Sequence, residues 1–282
     1  MPVIDPSLRI AAVHLAVSNL PASVDFYSRA MGLQVLEDDG LRALLGAGDA
    51  PALELSALER PAPIPPLSTG LFHVAWLHPT RAALADTVRR IGESRWPFTG
   101  ASDHAVSEAL YLDDPDGLGI EVYADRPRET WQPGPDGQRV RMVTAALDVE
   151  DLLAQSASEP GPRIDAGTLI GHVHLKVADV PRAGAFYRAL GFEDQATMPS
   201  AAFVSAGGYH HHIGLNSWQS AGGSPAPEDA PGLRRVTFDL GSGGAVDELA
   251  SWAAELTGVE RDDGGALALR DPDRVALSFV SR

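Results

Sequence analysis

The sequence predicts an α+β fold of four βαβββ modules, and three observations predict it. Residues 13–27 read VHLAVSNLPASVDFY and residues 173–187 read VHLKVADVPRAGAFY, an offset of 160 residues. A second pair, DDPDGLGIEVY at 113–123 and RDPDRVALSF at 270–279, aligns when read with two residues deleted. Around these signals, period-two apolar runs and stretches of helical spacing follow each other in the same order four times.

Each element has a local cause. In the first strand Val13, Leu15 and Val17 point one way and Ala12, His14 and Ala16 the other. The helix that follows has Asn19 or Ser18 as its cap, Pro21 in its first turn, and Val24 with Tyr27 on one face. Gly32 suits its stop. Short strands are expected at 41–46 and 52–58, and the Pro-rich ERPAPIPP at 59–66 leads to the second module. That module reads as a strand at 71–77, a helix at 81–92, and strands at 109–112 and 119–124. Asp-Pro-Asp makes a turn between the last two, because Pro presets φ and Asp bonds the local backbone.

Residues 126–168 join the halves, with a short helix near 148–155. The third module starts on a strand in which His172, His174 and Lys176 oppose Val173, Leu175 and Val177. Asp179, Pro181 and Gly191 repeat the cap, the first-turn proline and the stop, and strands at 201–206 and 212–216 complete it. SAGGSPAPEDAPG at 220–232 is a loop by composition. The fourth module has strands at 233–240, 266–269 and 275–280 and a helix at 244–257. The domain partition expected from this reading is 1–130, a linker at 131–166, and 167–282.

Bulk composition narrows the function classes. With 282 residues the chain can bury a sizeable core. It has no cysteine, so any metal would be held by His, Asp or Glu. A formal net charge of −16 argues against nucleic acid and anionic membranes as partners. No apolar stretch is long enough to span a bilayer, and MPVIDPSLRI lacks the pattern of a signal peptide, so the cytoplasm is the expected location.

The pattern resembles the vicinal oxygen chelate superfamily, to which glyoxalase I, extradiol dioxygenases, and fosfomycin and bleomycin resistance proteins belong. The resemblance covers almost the whole chain. It is closest to the catechol 2,3-dioxygenase-like two-domain proteins, through SDHAVSEALYLDDPDGLGIEVYADRPRETW at 102–131, GHVHLKVADV at 171–180 and SAGGYHHHIGLNSW at 205–218. It implies modules paired into two curved, barrel-like mixed sheets with helices outside. Metal ligands would then come from the first and last strands of modules, pointing inward.

His73, Glu121, His172 and Glu54 stand in those ligand positions, while Ala12, Arg235 and Ala276 occupy the others. Two His and one carboxylate are the ligand set of non-haem Fe(II) oxygenases, which leaves adjacent positions open for a catecholate and dioxygen. Mn(II) accepts the same ligands. Neither half of the chain alone supplies such a set. If the second module faces the third, His73, Glu121 and His172 meet, and this cross-half pairing is the favoured reading. The alternatives are a His73–Glu121–Glu54 site assisted by His14, or no metal.

The run Tyr209-His210-His211-His212 alternates, so His211 faces away from His210 and His212. By resemblance His211 is the acid/base residue, with His210 next. His104 and Tyr111 match positions near substrate and oxygen. His14 and His174 occupy the same place in both copies, which favours packing, with His174 also placed to line the pocket. Asn216 and Trp218 fit either pocket wall or packing.

The resemblance implies an Fe(II)-dependent extradiol dioxygenase of aromatic catabolism, taking a small aromatic substrate and O2. It is compatible with a homodimer. A glyoxalase-type isomerase or transferase would want Glu54 as a further ligand. A non-catalytic, drug-sequestering binding protein would account for the ligand positions that lack a ligand.

Overall fold

A computed structural model describes residues 3–157, 159–256, 258–262 and 264–281. The four modules form in chain order. The first comprises β1 (Arg9–Val17), α1 (Leu20–Asp25), β2 (Gln34–Asp38), β3 (Arg42–Gly46) and β4 (Leu53–Ala57); α1 runs on as a π-helical turn over Phe26–Ala30. The second has β5 (Gly70–His78), α2 (Arg81–Glu93), β6 (Phe98–Asp103), β7 (Ser107–Asp113) and β8 (Gly119–Asp125). The connection carries the short helix α3 (Val149–Leu153). The third has β9 (Leu169–Lys176), α4 (Val180–Ala189), β10 (Glu193–Met198), β11 (Ala201–Ser205) and β12 (Ile213–Asn216). The fourth has β13 (Gly232–Asp239), α5 (Gly243–Ala253), β14 (Glu260–Arg261), β15 (Leu267–Arg270) and β16 (Ala276–Val280). The last residue of the expected 244–257 helix lies outside the described residues. None of the described helices is long and apolar enough to cross a membrane.

Side chains close the helix starts, at Asn19 and Asp179 as the sequence suggests and at Thr80 and Ser242 in addition. Asn19, Thr80, Asp179 and Ser242 each accept a backbone N–H three residues on. Ser18 is not a cap; its N–H and hydroxyl both donate to Asp116.

The chain forms two eight-stranded mixed sheets, ordered β2-β3-β4-β1-β13-β16-β15-β14 and β6-β7-β8-β5-β9-β12-β11-β10. Each sheet therefore joins one module from each half of the chain. The joints are the antiparallel pairs β1/β13 and β5/β9. Within a module the first strand runs parallel to the last, as in β1/β4 and β5/β8. The strands that sequence reading lacked are β2, β6, β10 and β14, all at sheet edges. Their sequences (QVLED, FTGASD, EDQATM and ER) are polar, because an edge strand has little apolar surface to bury.

Strand alternation decides which side of each sheet is chemical. Val13, Leu15 and Val17 and their repeats Val173, Leu175 and Val177 belong to one buried cluster. Burying each such side chain is worth about 1.5–3 kcal/mol. His172, His174 and Lys176 are thereby turned to the opposite face of β9.

The repeated signals also bind to each other. Tyr27 donates to Asp114 at 3.2 Å, and Tyr187 donates to Asp271 at 3.0 Å. All four side chains are buried. Each clasp ties the helix of one module to the Asp-Pro-Asp turn of the next, and so ties one sheet to the other. The repeated glycines sit close by at φ +82° and +94°, and a Cβ on Gly32 or Gly191 would strike the backbone of Ile164 or Ile4. The repeated Gly32 and Gly191 are thus needed for close backbone approach.

Burial pushes the Asp114 carboxyl up to about 6, against the pull of the Leu118 and Asp116 amides. Its ordinary value is 3.8. A carboxyl raised on folding costs nothing below about pH 4 and costs its full penalty above about pH 6, up to about 3 kcal/mol. Asp114→Asn keeps an oxygen for the turn amides and removes the charge. Its stability relative to the parent chain should therefore rise between pH 4.5 and pH 7 and then level off in thermal denaturation. A difference independent of pH would contradict this account of the clasp.

Candidate metal centre

The site is built where β8, β5 and β9 lie side by side. The register sets Ala75 of β5 between Glu121 of β8 and His172 of β9, and His73 opposite His174. Ala75 is fully buried, and its small side chain lets its two larger neighbours meet above it. His73 Nε2 lies 3.0 Å and His172 Nε2 3.1 Å from the same Glu121 oxygen, Oε2. The two ring nitrogens are 3.3 Å apart. Among the described residues this is the group of His and acidic side chains placed to share a metal.

The donor set fits a divalent ion. Metal–nitrogen bonds of about 2.1 Å at right angles place neighbouring donors roughly 3 Å apart, which is the spacing of these three atoms. Electrostatics point the same way. Glu121 is only 3 % exposed. Burial alone would raise its carboxyl, but His172 and then His73 reverse this and hold it well below the usual carboxylate range. Burial in turn drives the His172 imidazole down to about 4, so it is neutral at pH 7 and keeps a lone pair. Among the described residues the buried Glu121 carboxylate has these two imidazoles as its ion-pair partners. A divalent cation held by His73, Glu121 and His172 would balance it.

These groups open onto a cavity of about 790 Å³. His211 lines it, its ring centroid 4.0 Å from that of His172. His211 Nδ1 is 2.7 Å from His210 Nδ1, and His210 Nε2 is 2.9 Å from Asp125 Oδ1. A neutral His210 that donates to Asp125 through Nε2 must accept from His211 through Nδ1. That order leaves His211 with a bare Nε2. Burial, then the neighbouring His172 and His210, push the His211 imidazole well below its ordinary value. His212 lies apart from the metal group, accepting from the Ala206 N–H.

His104 and Tyr111 line the same cavity and are bonded to each other at 2.6 Å. His104 Nδ1 donates to the Val143 carbonyl at 2.6 Å, so Nε2 accepts from the Tyr111 hydroxyl. The Tyr111 oxygen is left as an acceptor. Its register partner is Glu121. Phe72, Phe203 and Trp218 surround His174, with ring centroids 5.2–5.7 Å from it, and form an aromatic wall. Asn216 is buried and accepts from the Trp218 backbone N–H.

Glu54 and His14 belong to the other sheet and do not join His73. Glu54 is bound by Arg42 at 2.6 Å and by Arg235 at 3.0 Å, while His14 lies 2.9 Å from the Ser56 hydroxyl. Register gives that sheet's counterparts directly. Ala12 pairs with Thr237 as His172 pairs with Ala75, and Ser278 pairs with Thr237 as Glu121 pairs with Ala75. The residue in the place of Glu121 is thus Ser278 rather than Ala276. The two turns align without a deletion, which shifts the expected position by two.

Sequence reading missed three parts of the site. Tyr123 sits 4.9 Å from the His172 ring, and its hydroxyl pairs with that of Tyr209 at 2.8 Å. Asp125 was hidden among surface-like acids. Val143 acts through its carbonyl, and a backbone contact leaves no residue-type signal.

The chain as a whole has known relatives. The model of the Glyoxalase/Bleomycin resistance protein/Dioxygenase superfamily matches residues 9–122. A catechol-2,3-dioxygenase of Bacillus subtilis (strain 168) is 43 % identical over 288 residues, spanning 99 % of this chain and 100 % of that protein. Among solved structures, a putative dioxygenase from Bacillus subtilis subsp. subtilis str. 168 superposes with a TM-score of 0.66 at 15 % identity, covering 100 % of this chain and 86 % of that one. Glyoxalase I from Zea mays gives 0.60 at 16 %, covering 98 % and 92 %. Both superpositions speak for the fold alone.

Chelator-stripped protein titrated anaerobically with Fe(II) or Mn(II) should bind one ion per chain. His172→Ala and Glu121→Gln should each weaken that binding by roughly 100-fold or more, since even loss of a group supporting a ligand costs 10–100-fold. His14→Ala should leave it intact. Calorimetry showing undiminished binding by His172→Ala would exclude this centre.

Proposed function

This chain belongs to the glyoxalase/bleomycin resistance protein/dioxygenase superfamily, and within it we propose that it acts as an Fe(II)-dependent extradiol dioxygenase on a catechol-like aromatic. The observation that carries the reading is the His73–Glu121–His172 group, buried at the wall of a cavity that also presents a proton-accepting histidine. The 43 % identity to a catechol-2,3-dioxygenase over the full chain supports it. Iron held by the three residues would supply adjacent open positions for both oxygens of a catecholate and for O2. The net reaction inserts both atoms of O2 at one ring carbon–carbon bond beside a hydroxyl.

The residues around the centre divide the remaining work. The Asp125–His210 pair holds His211 with Nδ1 protonated and Nε2 bare. His211 can thus take a phenolic proton at Nε2 and return it as the ring opens. Its burial keeps it neutral and ready for this at pH 7. Tyr111, whose hydroxyl proton is held by His104, offers its oxygen as an acceptor to the substrate hydroxyl. The ring faces of Phe72, Phe203 and Trp218 favour a flat ring. A glyoxalase-type reading would want Glu54 as a further ligand, and Arg42 and Arg235 already hold that carboxylate.

Fe(II)-loaded protein mixed with catechol and air should give a yellow ring-opened product. His211→Ala should lower kcat by about 10²–10⁴-fold, the usual worth of a general base, with KM changed only a few-fold. Loaded protein that opens no catechol, whatever its ring substituents, would refute the reading.

A further inference from the structure

Of the 22 basic side chains in the sequence, Lys176 is the only lysine. It stands at the end of β9 on the face that carries His172 and His174, and it lines the same cavity. Arg42, Arg81, Arg126, Arg182, Arg188 and Arg235 each pair with a carboxylate. Lys176 is half-buried, and its side chain has no carboxylate or hydrogen-bond partner among the described residues. Burial alone lowers its ammonium from the ordinary value, with no acidic group opposing the shift. Its partner across β5 is Gly70, where even a Cβ would meet nothing within 4 Å. There is thus open space beside an uncompensated cation.

We propose that Lys176 is a specificity residue that reads an anionic substituent, of the carboxylate class, on the aromatic substrate. The proposal rests on the dioxygenase reading for the identity of the ring, and it names the class of molecule the cavity selects. Three features carry it. Four residues along a strand separate Lys176 from His172 by about 13 Å, of the order of a substituted single ring plus a lysine stem. The aromatic wall lies between them, since Phe72, Phe203 and Trp218 surround His174 on the same face. A half-buried ammonium without a protein counter-ion is also costly, and a bound carboxylate relieves that cost. The long-range field of a chain at −16 opposes anions, so any preference for one must come from a local cation such as this.

Binding tests this without turnover. Dihydroxyphenylacetates with the acid chain on ring carbon 3 or 4, and the matching neutral acetamides, would be titrated anaerobically against the iron-loaded protein. Intrinsic tryptophan fluorescence or calorimetry would be the readout. We expect one acid to bind at least tenfold tighter than its amide. In Lys176→Met, which keeps an unbranched stem, the acid-over-amide ratio should fall to within threefold of unity, and Lys176→Arg should restore most of it. Equal binding of acid and amide by the parent protein, no binding of either, or an unchanged ratio in Lys176→Met would overturn the proposal. Ring opening is scored separately. Protein that prefers the acid through Lys176 but opens no ring would keep this inference and sink the dioxygenase reading. Protein that opens the ring but binds acid and amide equally would do the reverse.

Discussion

The antiparallel joint between β5 and β9 is the constraint on which everything else depends. It pairs the second module with the third, so His73 and Glu121 share a surface with His172 although 51 residues separate Glu121 from His172 in sequence. A shift of one residue in this register would turn His172 into the core and Val173 into the cavity. The apolar cluster that holds Val173 and Leu175 therefore also holds the metal group in place. Stability and chemistry are two faces of one strand.

The two joints look alike and carry different chemistry. At β5/β9 small Ala75 leaves room for a carboxylate and two imidazoles to converge. At β1/β13 the equivalent row holds Ala12, Thr237 and Ser278, while Glu54 is neutralised by Arg42 and Arg235. One sheet satisfies its inward charges within the protein. In the other, among the described residues, a buried carboxylate has two imidazoles as its ion-pair partners, which suits an external cation. The Tyr–Asp clasps then fix the two sheets relative to one another at both ends of the repeat.

Much of this was readable in the residues. The 160-residue repeat gave the modules, and strand parity placed His172, His174 and Lys176 on one face. The absence of a full ligand set in either half pointed to pairing across halves, and the sheets are built that way. The edge strands were not readable, because QVLED and EDQATM bury too little to show alternation. Ser278 was missed because two similar turns were aligned with a gap that the register does not have. Val143 and Asp125 were missed for another reason. A carbonyl supplied by a connecting segment, and an acid that matters only through His210, acquire meaning only in three dimensions.

We expect one metal ion to sit between the second and third modules. Anomalous diffraction from crystals loaded with Fe(II) under anaerobic conditions tests it most directly. The expected result is a single iron per chain, bonded to His73 Nε2, His172 Nε2 and Glu121, with no iron beside Glu54 and His14. Iron at the Glu54 side, or none at the His73–Glu121–His172 group under saturating metal, would contradict it.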